Sequence, residues 1–312
     1  GTTCFVDMHM FEGQSAKAAK DAGMRSFIGR GLVGDDLYAQ DNPRFNEAMR
    51  EKEAFESDTI KFLLSPHAIY STCETLLRQV TKEADRMGLL KQIHLAESDF
   101  EAITAKEKYG KTPVEYLFDI GFLNDRTLVA HCVKVSQSDM DILKEKGCTV
   151  VTNPASNAKL GNGYAPVNEM VKKGINVCLG TDSVASNNTL NMFREMNLLT
   201  LLHKAVNKDC TALSSKTVLD MVTKNCAKGL NMKNELGVLK KDALADIIFL
   251  DLNAVSLFPN NNIVSSLCYC ANGSEVNSVM INGRFVMKDR KLLTINENEV
   301  FSKVIEITNK YL

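Results

Sequence analysis

The stretch Gln92-Ile93-His94-Leu95-Ala96-Glu97 decides the fold, because a short apolar run ends there in polar side chains. The same design returns at Thr127–Cys132 and, with an aspartate, at Leu179–Ser183. Apolar runs of this length that alternate with amphipathic segments are typical of βα units around a parallel sheet. Seven such runs are found up to Gly180: Thr3–Met8, Met24–Gly29, Ile60–Ser65, Gln92–Ala96, Thr127–His131, Thr149–Asn153 and Asn176–Gly180.

The segments between these runs have the 3.6-residue period of amphipathic helices, and several end at a glycine that suits a helix C-cap. We expect helices over Cys73–Gly88, Thr112–Gly121, Gln137–Lys146, Pro166–Gly174, Thr189–Ala205 and Ser215–Gly229. The pattern predicts an α/β protein with a (β/α)8 TIM barrel, whose chemistry lies at the carboxyl ends of the strands. Seven strands do not close an eight-stranded barrel, so we expect the first strand to precede Gly1. An open doubly wound sheet is the alternative.

The pattern of alternating apolar runs and amphipathic segments changes near residue 236. This change predicts a truncated barrel domain over residues 1–235 and a C-terminal region over residues 236–312. Ala245–Leu252 and Val276–Met287 resemble antiparallel strands, and Asn282-Gly283 is typical of a hairpin turn. A terminal helix is expected over Val300–Tyr311. Because these strands are few, we interpret them as the remnant of a composite β-sandwich domain.

Composition excludes several classes of partner. The net charge of the 312 residues is −1 without a basic run, which argues against nucleic acid or an anionic membrane surface. No apolar stretch approaches the ~18 residues that span a bilayer. Nine cysteines without a C-x-x-C pair indicate reduced thiols and a cytoplasmic location. The expected partner is a small molecule, and the oligomeric state is left open, a homo-oligomer included.

Three strand ends present His94, His131 and Asp182 towards one opening of the predicted barrel, and Glu97 follows His94 by three residues. A histidine at the mouth of a barrel can bind a metal ion, and a nearby glutamate can transfer protons. Gathering such groups is costly for charge and solvation unless something there uses them. The pattern therefore favours a functional site over four unrelated structural residues.

These motifs, with Asn153–Leu160 and Gly180–Asn188, resemble the ordered motif set of the amidohydrolase superfamily. The similarity is greatest to its branch of metal-dependent hydrolytic deaminases that act on 5-methylthioadenosine and S-adenosylhomocysteine. The resemblance implies that His94 and Asp182 bind one divalent metal, zinc before iron or manganese, that His131 orients the reacting groups, and that Glu97 moves protons. In that family a His-x-His pair on the first strand supplies two more ligands. This chain opens on Gly1-Thr2-Thr3, which matches the sequence after that strand, so we expect an incomplete site.

The same resemblance implies substrate-binding residues for a purine nucleoside: His67 at the purine, Arg30 and Arg44 at the tail of the nucleoside, and Ser186, Asn157, Glu97 and Asp182 in the pocket. His67 in a structural turn, Arg44 at the surface, and Asn157 and Ser186 as turn formers are the alternatives. Asp7 and His9 are interpreted as packing residues, Gly161-Asn162-Gly163 as a loop, and His203 as a packed or surface histidine. A guanine deaminase, a triazine chlorohydrolase and a non-catalytic, metal-poor barrel stay as alternative functions.

Overall fold

The strands of this computed structural model, which describes residues 1–34 and 41–311, follow the predicted order along the chain. The eight parallel strand segments are β1 (Cys4–His9), β2 (Arg25–Leu32), β3 (Ile60–Phe62), β4 (Ser65–Pro66), β5 (Lys91–Leu95), β6 (Thr127–His131), β7 (Thr149–Thr152) and β8 (Asn176–Leu179). All seven predicted runs are confirmed. The third run is divided into the two short segments β3 and β4, both of which pair with β2.

The strands pair in parallel and in sequence order, and a bridge between Leu64 and Lys91 joins the first sheet to β5–β8. A doubly wound sheet reverses its strand order at a switch point, so the sequential order contradicts that alternative. Within the described residues, β1 pairs only with β2 and β8 only with β7. The fold is thus of the (β/α) barrel type, with β1 and β8 as its two edges.

Helices cover the strands, and several of them begin at a side chain that caps their first N–H groups. They are α1 (Glu12–Ala22), α2 (Pro43–Phe55), α3 (Glu74–Met87), α4 (Asp99–Tyr109), α5 (Pro113–Asp119), α6 (Gln137–Glu145), α7 (Pro154–Lys159), α8 (Val167–Lys172), α9 (Val184–Asn187), α10 (Met192–Asn207), α11 (Ser215–Met221), α12 (Lys224–Gly229), α13 (Ile263–Tyr269) and α14 (Glu297–Tyr311). Thr112 and Ser136 form capping boxes that satisfy the first N–H groups of α5 and α6. Gly88 ends α3 with a φ of 67°, as the glycine pattern predicted.

The single helix predicted over Ser215–Gly229 is wrong. Thr223 leaves the helical region, with φ −129° and ψ −93°, and separates α11 from α12. A Cβ on Gly237 would lie 2.5 Å from the Thr223 carbonyl carbon, so the chain after α12 returns to pack directly on this break. A period of 3.6 residues cannot report such a contact, because it forms between segments that are distant in sequence.

The C-terminal region contains a four-stranded antiparallel sheet in the order β12-β11-β10-β9. Its strands are β9 (Ile247–Leu250), β10 (Val276–Ile281), β11 (Arg284–Lys288) and β12 (Lys291–Leu292). Asn282 and Gly283 join β10 to β11 with φ of 50° and 77°, which confirms the predicted turn. The division of the chain near residue 236 stays a prediction.

A buried ion pair connects this sheet to the barrel. Arg25 at the start of β2 donates from Nε and Nη2 to the two carboxylate oxygens of Asp246, at 2.8 and 3.0 Å. Asp246 also accepts the backbone N–H of Asn282 at 2.9 Å. Both charged side chains are almost fully buried, at 3% and 2% exposed, so water contributes little to their solvation. The pair therefore holds the hairpin against the amino end of β2.

Seven of the nine cysteines are buried or partly buried. In the part of the chain that the structure describes, none of the helices combines the length and the apolar character needed to cross a membrane.

Candidate metal and catalytic site

The predicted site residues meet at the carboxyl ends of the parallel strands. The ring centroids of His67 and His94 are 5.0 Å apart, and those of His94 and His131 are 5.4 Å apart. Nε2 of His131 lies 3.9 Å from Oε2 of Glu97. The carboxylate of Asp182, after β8, acts electrostatically on both His94 and His131. Five side chains singled out from the sequence thus lie close together at one opening.

His94 is held in one tautomer. Its Nδ1 is 2.8 Å from the backbone carbonyl of His67, and because a carbonyl only accepts, Nδ1 carries the hydrogen. The lone pair is therefore on Nε2. Burial, helped by the nearby rings of His131 and His67, lowers the pKa of His94 to about 4, so the ring is neutral at neutral pH. This is the state of a histidine that can bind a metal ion.

His131 ends β6 in the left-handed region, with a φ of 74°. Its Nδ1 lies 2.8 Å from Oδ1 of Asn157 on α7, and both side chains are buried. Because the amide oxygen accepts, Nδ1 is the donor. The other ring nitrogen, Nε2, lies on the side of Glu97 and is not used by this hydrogen bond. Asn157 therefore orients His131, a contact that the turn-forming interpretation of Asn157 did not include.

Asp182 is surrounded by donors. Ser156 and Ser186 both donate to its Oδ2, and the Ser183 backbone N–H donates to Oδ1 at 2.7 Å. Burial raises the pKa of Asp182, but these hydrogen bonds outweigh it and hold the pKa below its ordinary value. The residue is a carboxylate at neutral pH, in a left-handed conformation with a φ of 60°.

Glu97 is anchored from two sides. Its Oε1 accepts from Nδ2 of Asn162 at 3.0 Å, and its backbone N–H donates to Glu101 at 2.9 Å. Glu101 is fully buried, and this burial raises its pKa to about 7. Sequence reasoning treated Asn162 only as part of a loop and passed over Glu101 and Ser156. The two glycines beside Asn162, which adopt positive φ values of 73° and 104°, were the available signal for a turn at this position.

The proposed substrate residues are placed less closely around this cluster. His67 contacts Ser71 through Nδ1 at 2.7 Å, and burial lowers the pKa of His67. Arg30 is mostly buried and pairs with Glu47 of α2 at 2.8 Å. The described polar contact of the Arg44 guanidinium is with the Val33 carbonyl, at 3.4 Å. These two arginines line the same end of the barrel, but their described contacts are with protein groups near β2.

The two histidines interpreted as structural differ in burial. His9 is exposed and accepts the backbone N–H of Phe11 at 3.1 Å. His203 on α10 is 1% exposed and meets Tyr164 edge to face, as expected for a packed histidine.

The donor set fits part of a zinc site. His94 offers a neutral Nε2 and Asp182 offers an ionised carboxylate, and both are ligands that zinc accepts. Among the described residues, however, His, Cys, Asp and Glu side chains form no group of three or more that could hold an ion. Catalytic zinc sites use three protein ligands. His94 and Asp182 stay the two candidate ligands predicted from the sequence.

The chain belongs to the amidohydrolase family, whose model matches residues 1–286. It is 42% identical over 300 residues to the 5-methylthioadenosine/S-adenosylhomocysteine deaminase of Clostridium tetani, an alignment that covers 96% of this chain and 70% of the relative.

Two solved structures share the fold. An adenosine deaminase from Xanthomonas campestris with bound zinc superposes with a TM-score of 0.94 at 27% identity, covering 99% of this chain and 71% of that one. An atrazine chlorohydrolase from Arthrobacter aurescens, complexed with zinc, gives 0.90 at 22% identity, covering 98% and 73%. At that lower identity the likeness shows the fold alone. The fold class and the family expected from the sequence are confirmed.

Proposed function

We propose that this protein is a metal-dependent hydrolase that removes the exocyclic amine of an adenine nucleoside such as 5-methylthioadenosine or S-adenosylhomocysteine. The observation that carries the proposal is the convergence of His94, Glu97, His131 and Asp182 at one barrel mouth. The names of the relatives support the substrate class. The partner is thus a small molecule, and the nine cysteines without a C-x-x-C pair support a cytoplasmic location.

The reaction replaces the bond between a purine ring carbon and its exocyclic nitrogen with a carbon–oxygen bond from water and releases ammonia. A divalent ion held in part by His94 and Asp182, zinc before iron or manganese, would lower the pKa of water and polarise the reacting centre. Asp182 is ionised, so it can accept the proton that water loses. Glu97 can then carry a proton to the ring nitrogen and to the departing amine.

His131 has a positioning and electrostatic part in this scheme. In the tautomer in which Nδ1 donates to Asn157, Nε2 is the acceptor and can hold the attacking water by one of its hydrogens. This Nε2 lies 3.9 Å from Oε2 of Glu97, so it is next to the group that carries the proton. His67, Ser186, Arg30 and Arg44 are the proposed substrate contacts, at the base and along the tail of the nucleoside.

Ammonia release tests the proposal. Zinc-supplemented protein is incubated separately with 5-methylthioadenosine, S-adenosylhomocysteine, guanine and a chlorotriazine, with Asp182→Asn as the inactive control. Ammonia is measured for the first three compounds and chloride for the chlorotriazine, because its hydrolysis releases chloride. Release from the adenine nucleosides that Asp182→Asn abolishes supports the proposal. Turnover of guanine or the chlorotriazine alone would assign the chain to another reaction of the family.

The non-catalytic, metal-poor barrel expected from the sequence as an alternative is kept as the second candidate. Metal analysis of the purified protein distinguishes the two candidates. Zinc below about a tenth of an equivalent, together with no turnover in added zinc, would support the non-catalytic barrel.

A further inference from the structure

We propose that Glu195 is the positioning residue of this site, and that it holds the two chain segments that carry the donors to Asp182. Glu195 lies in the first turn of α10 and is fully buried. It touches none of the reacting groups proposed above. The inference rests on the proposed function only in assigning Asp182 its chemical role.

The two carboxylate oxygens of Glu195 are used by different segments. Oε2 accepts the backbone N–H of Ala155 in α7 at 3.1 Å, and Oε1 accepts Nδ2 of Asn187 in α9 at 2.8 Å. The same Nδ2 donates to the carbonyl of Thr181 at 2.6 Å. Glu195 therefore connects α7 to α9 directly and, through Asn187, to the residue before Asp182.

Each of these contacts is next in sequence to a residue that hydrogen-bonds to a proposed functional side chain. Ser156, next to Ala155, and Ser186, next to Asn187, are the two hydroxyl donors to Oδ2 of Asp182. Asn157, two residues after Ala155, orients His131. Asp182 itself is in the left-handed region, a conformation that costs a non-glycine residue about 1 to 3 kcal/mol and persists only where the surroundings enforce it.

Simple packing does not explain a carboxylate at this position. Burying an ionised group costs more than an apolar side chain of the same size would, unless its oxygens are needed as acceptors. Burial raises the pKa of Glu195, although the hydrogen bonds from Asn187 and Ala155 oppose the shift. The side chain at position 195 must therefore offer two acceptor atoms, one to each of two different donors.

Glu195→Gln is the sharpest variant because it keeps the shape and removes one acceptor. In either orientation, the new NH₂ group faces the Ala155 N–H or the Asn187 NH₂, donor against donor. One of the two segments is then released. Loss of a second-layer contact of this kind typically weakens metal binding or activity by about 10- to 100-fold.

Glu275→Gln is the matched control. Glu275 is also buried and accepts three hydrogen bonds, from Ser256 and from the backbone N–H groups of Asn272 and Gly273, in the C-terminal region. Both variants lose a buried acceptor, but only Glu195 adjoins the site. A purely structural role for Glu195 would make the two variants behave alike.

The experiment measures zinc affinity by competition with a chromophoric chelator, together with kcat and KM for 5-methylthioadenosine and the free energy of unfolding. We expect Glu195→Gln to weaken zinc binding and lower kcat by about 10- to 100-fold with little change in KM. Glu275→Gln should lose stability only. Should Glu195→Gln not fold, Asn187→Ala removes one of the same contacts and should shift zinc affinity in the same direction.

Unchanged zinc affinity in Glu195→Gln, or an equal loss in Glu275→Gln, would overturn the inference. Zinc binding by the wild type without turnover would count against the proposed reaction, while the effect of Glu195 could still be read from zinc affinity. A wild type that takes up no zinc would overturn both proposals.

Discussion

Breaking the buried ion pair between Arg25 and Asp246 should destabilise the whole protein. In Arg25→Met the carboxylate keeps only the Asn282 N–H at 2.9 Å and loses the two donors at 2.8 and 3.0 Å. Each orphaned buried acceptor costs about 1 to 3 kcal/mol, and removing one partner of a buried pair costs about 3 to 5 kcal/mol in total. We therefore expect the free energy of unfolding to fall by about 3 to 5 kcal/mol.

Urea unfolding followed by circular dichroism measures this loss. The double variant Arg25→Met/Asp246→Leu removes both charges, so it should recover much of the stability that the single variant loses. Lys17→Met is the control, because the Lys17–Asp21 pair is 63% and 65% exposed and should contribute less than about 0.5 kcal/mol. A single-variant loss below about 1 kcal/mol, or no recovery in the double variant, would refute the reasoning.

Three further predictions concern the site and one buried acid. Glu97→Gln should lower kcat by about 10²- to 10⁴-fold in the ammonia assay, because proton transfer is lost, and a loss below tenfold would exclude Glu97 as the acid. Ser156→Ala should reduce kcat about 10- to 100-fold by removing a hydrogen bond to a charged group, whereas Ser138→Ala should not. Burial raises the pKa of Glu12 from its ordinary value to about 8. Between about pH 4.5 and 8 the folded protein therefore keeps a proton on Glu12 that the unfolded protein releases, so the free energy of unfolding falls as the pH rises through this range. Relative to Glu12→Gln, the wild type should lose about 3 to 5 kcal/mol over that range, and parallel unfolding curves would contradict this.

The strand ends could be predicted from sequence because their signal is local. A β-strand needs only a few consecutive apolar residues, and the polar residue that ends it is adjacent in the chain. His94, Glu97 and His131 were found in this way, and their convergence followed from the topology of a parallel sheet. The hairpin at Asn282-Gly283 is equally local, since it requires two residues with positive φ.

The contacts that orient these residues could not be predicted from sequence. Asn162 meets Glu97 across 65 positions, and Ser156 meets Asp182 across 26. No periodicity connects such pairs, and serine or asparagine in a loop is equally typical of a turn. The break at Thr223 has the same origin, because the residue that packs on it, Gly237, lies in another segment.

The backbone itself shows why the site needs this second set of residues. Ala96, His131 and Asp182, each just before or at a proposed functional group, adopt positive φ values of 50°, 74° and 60°. None of the three is glycine, so each conformation is unfavourable by about 1 to 3 kcal/mol and must be enforced by its surroundings. Glu101 holds the turn after Ala96, Asn157 holds His131, and Glu195 holds the segments around Asp182. The strained strand ends aim the reactive side chains into one opening, and the buried carboxylates and amide behind them are the reason that this arrangement persists.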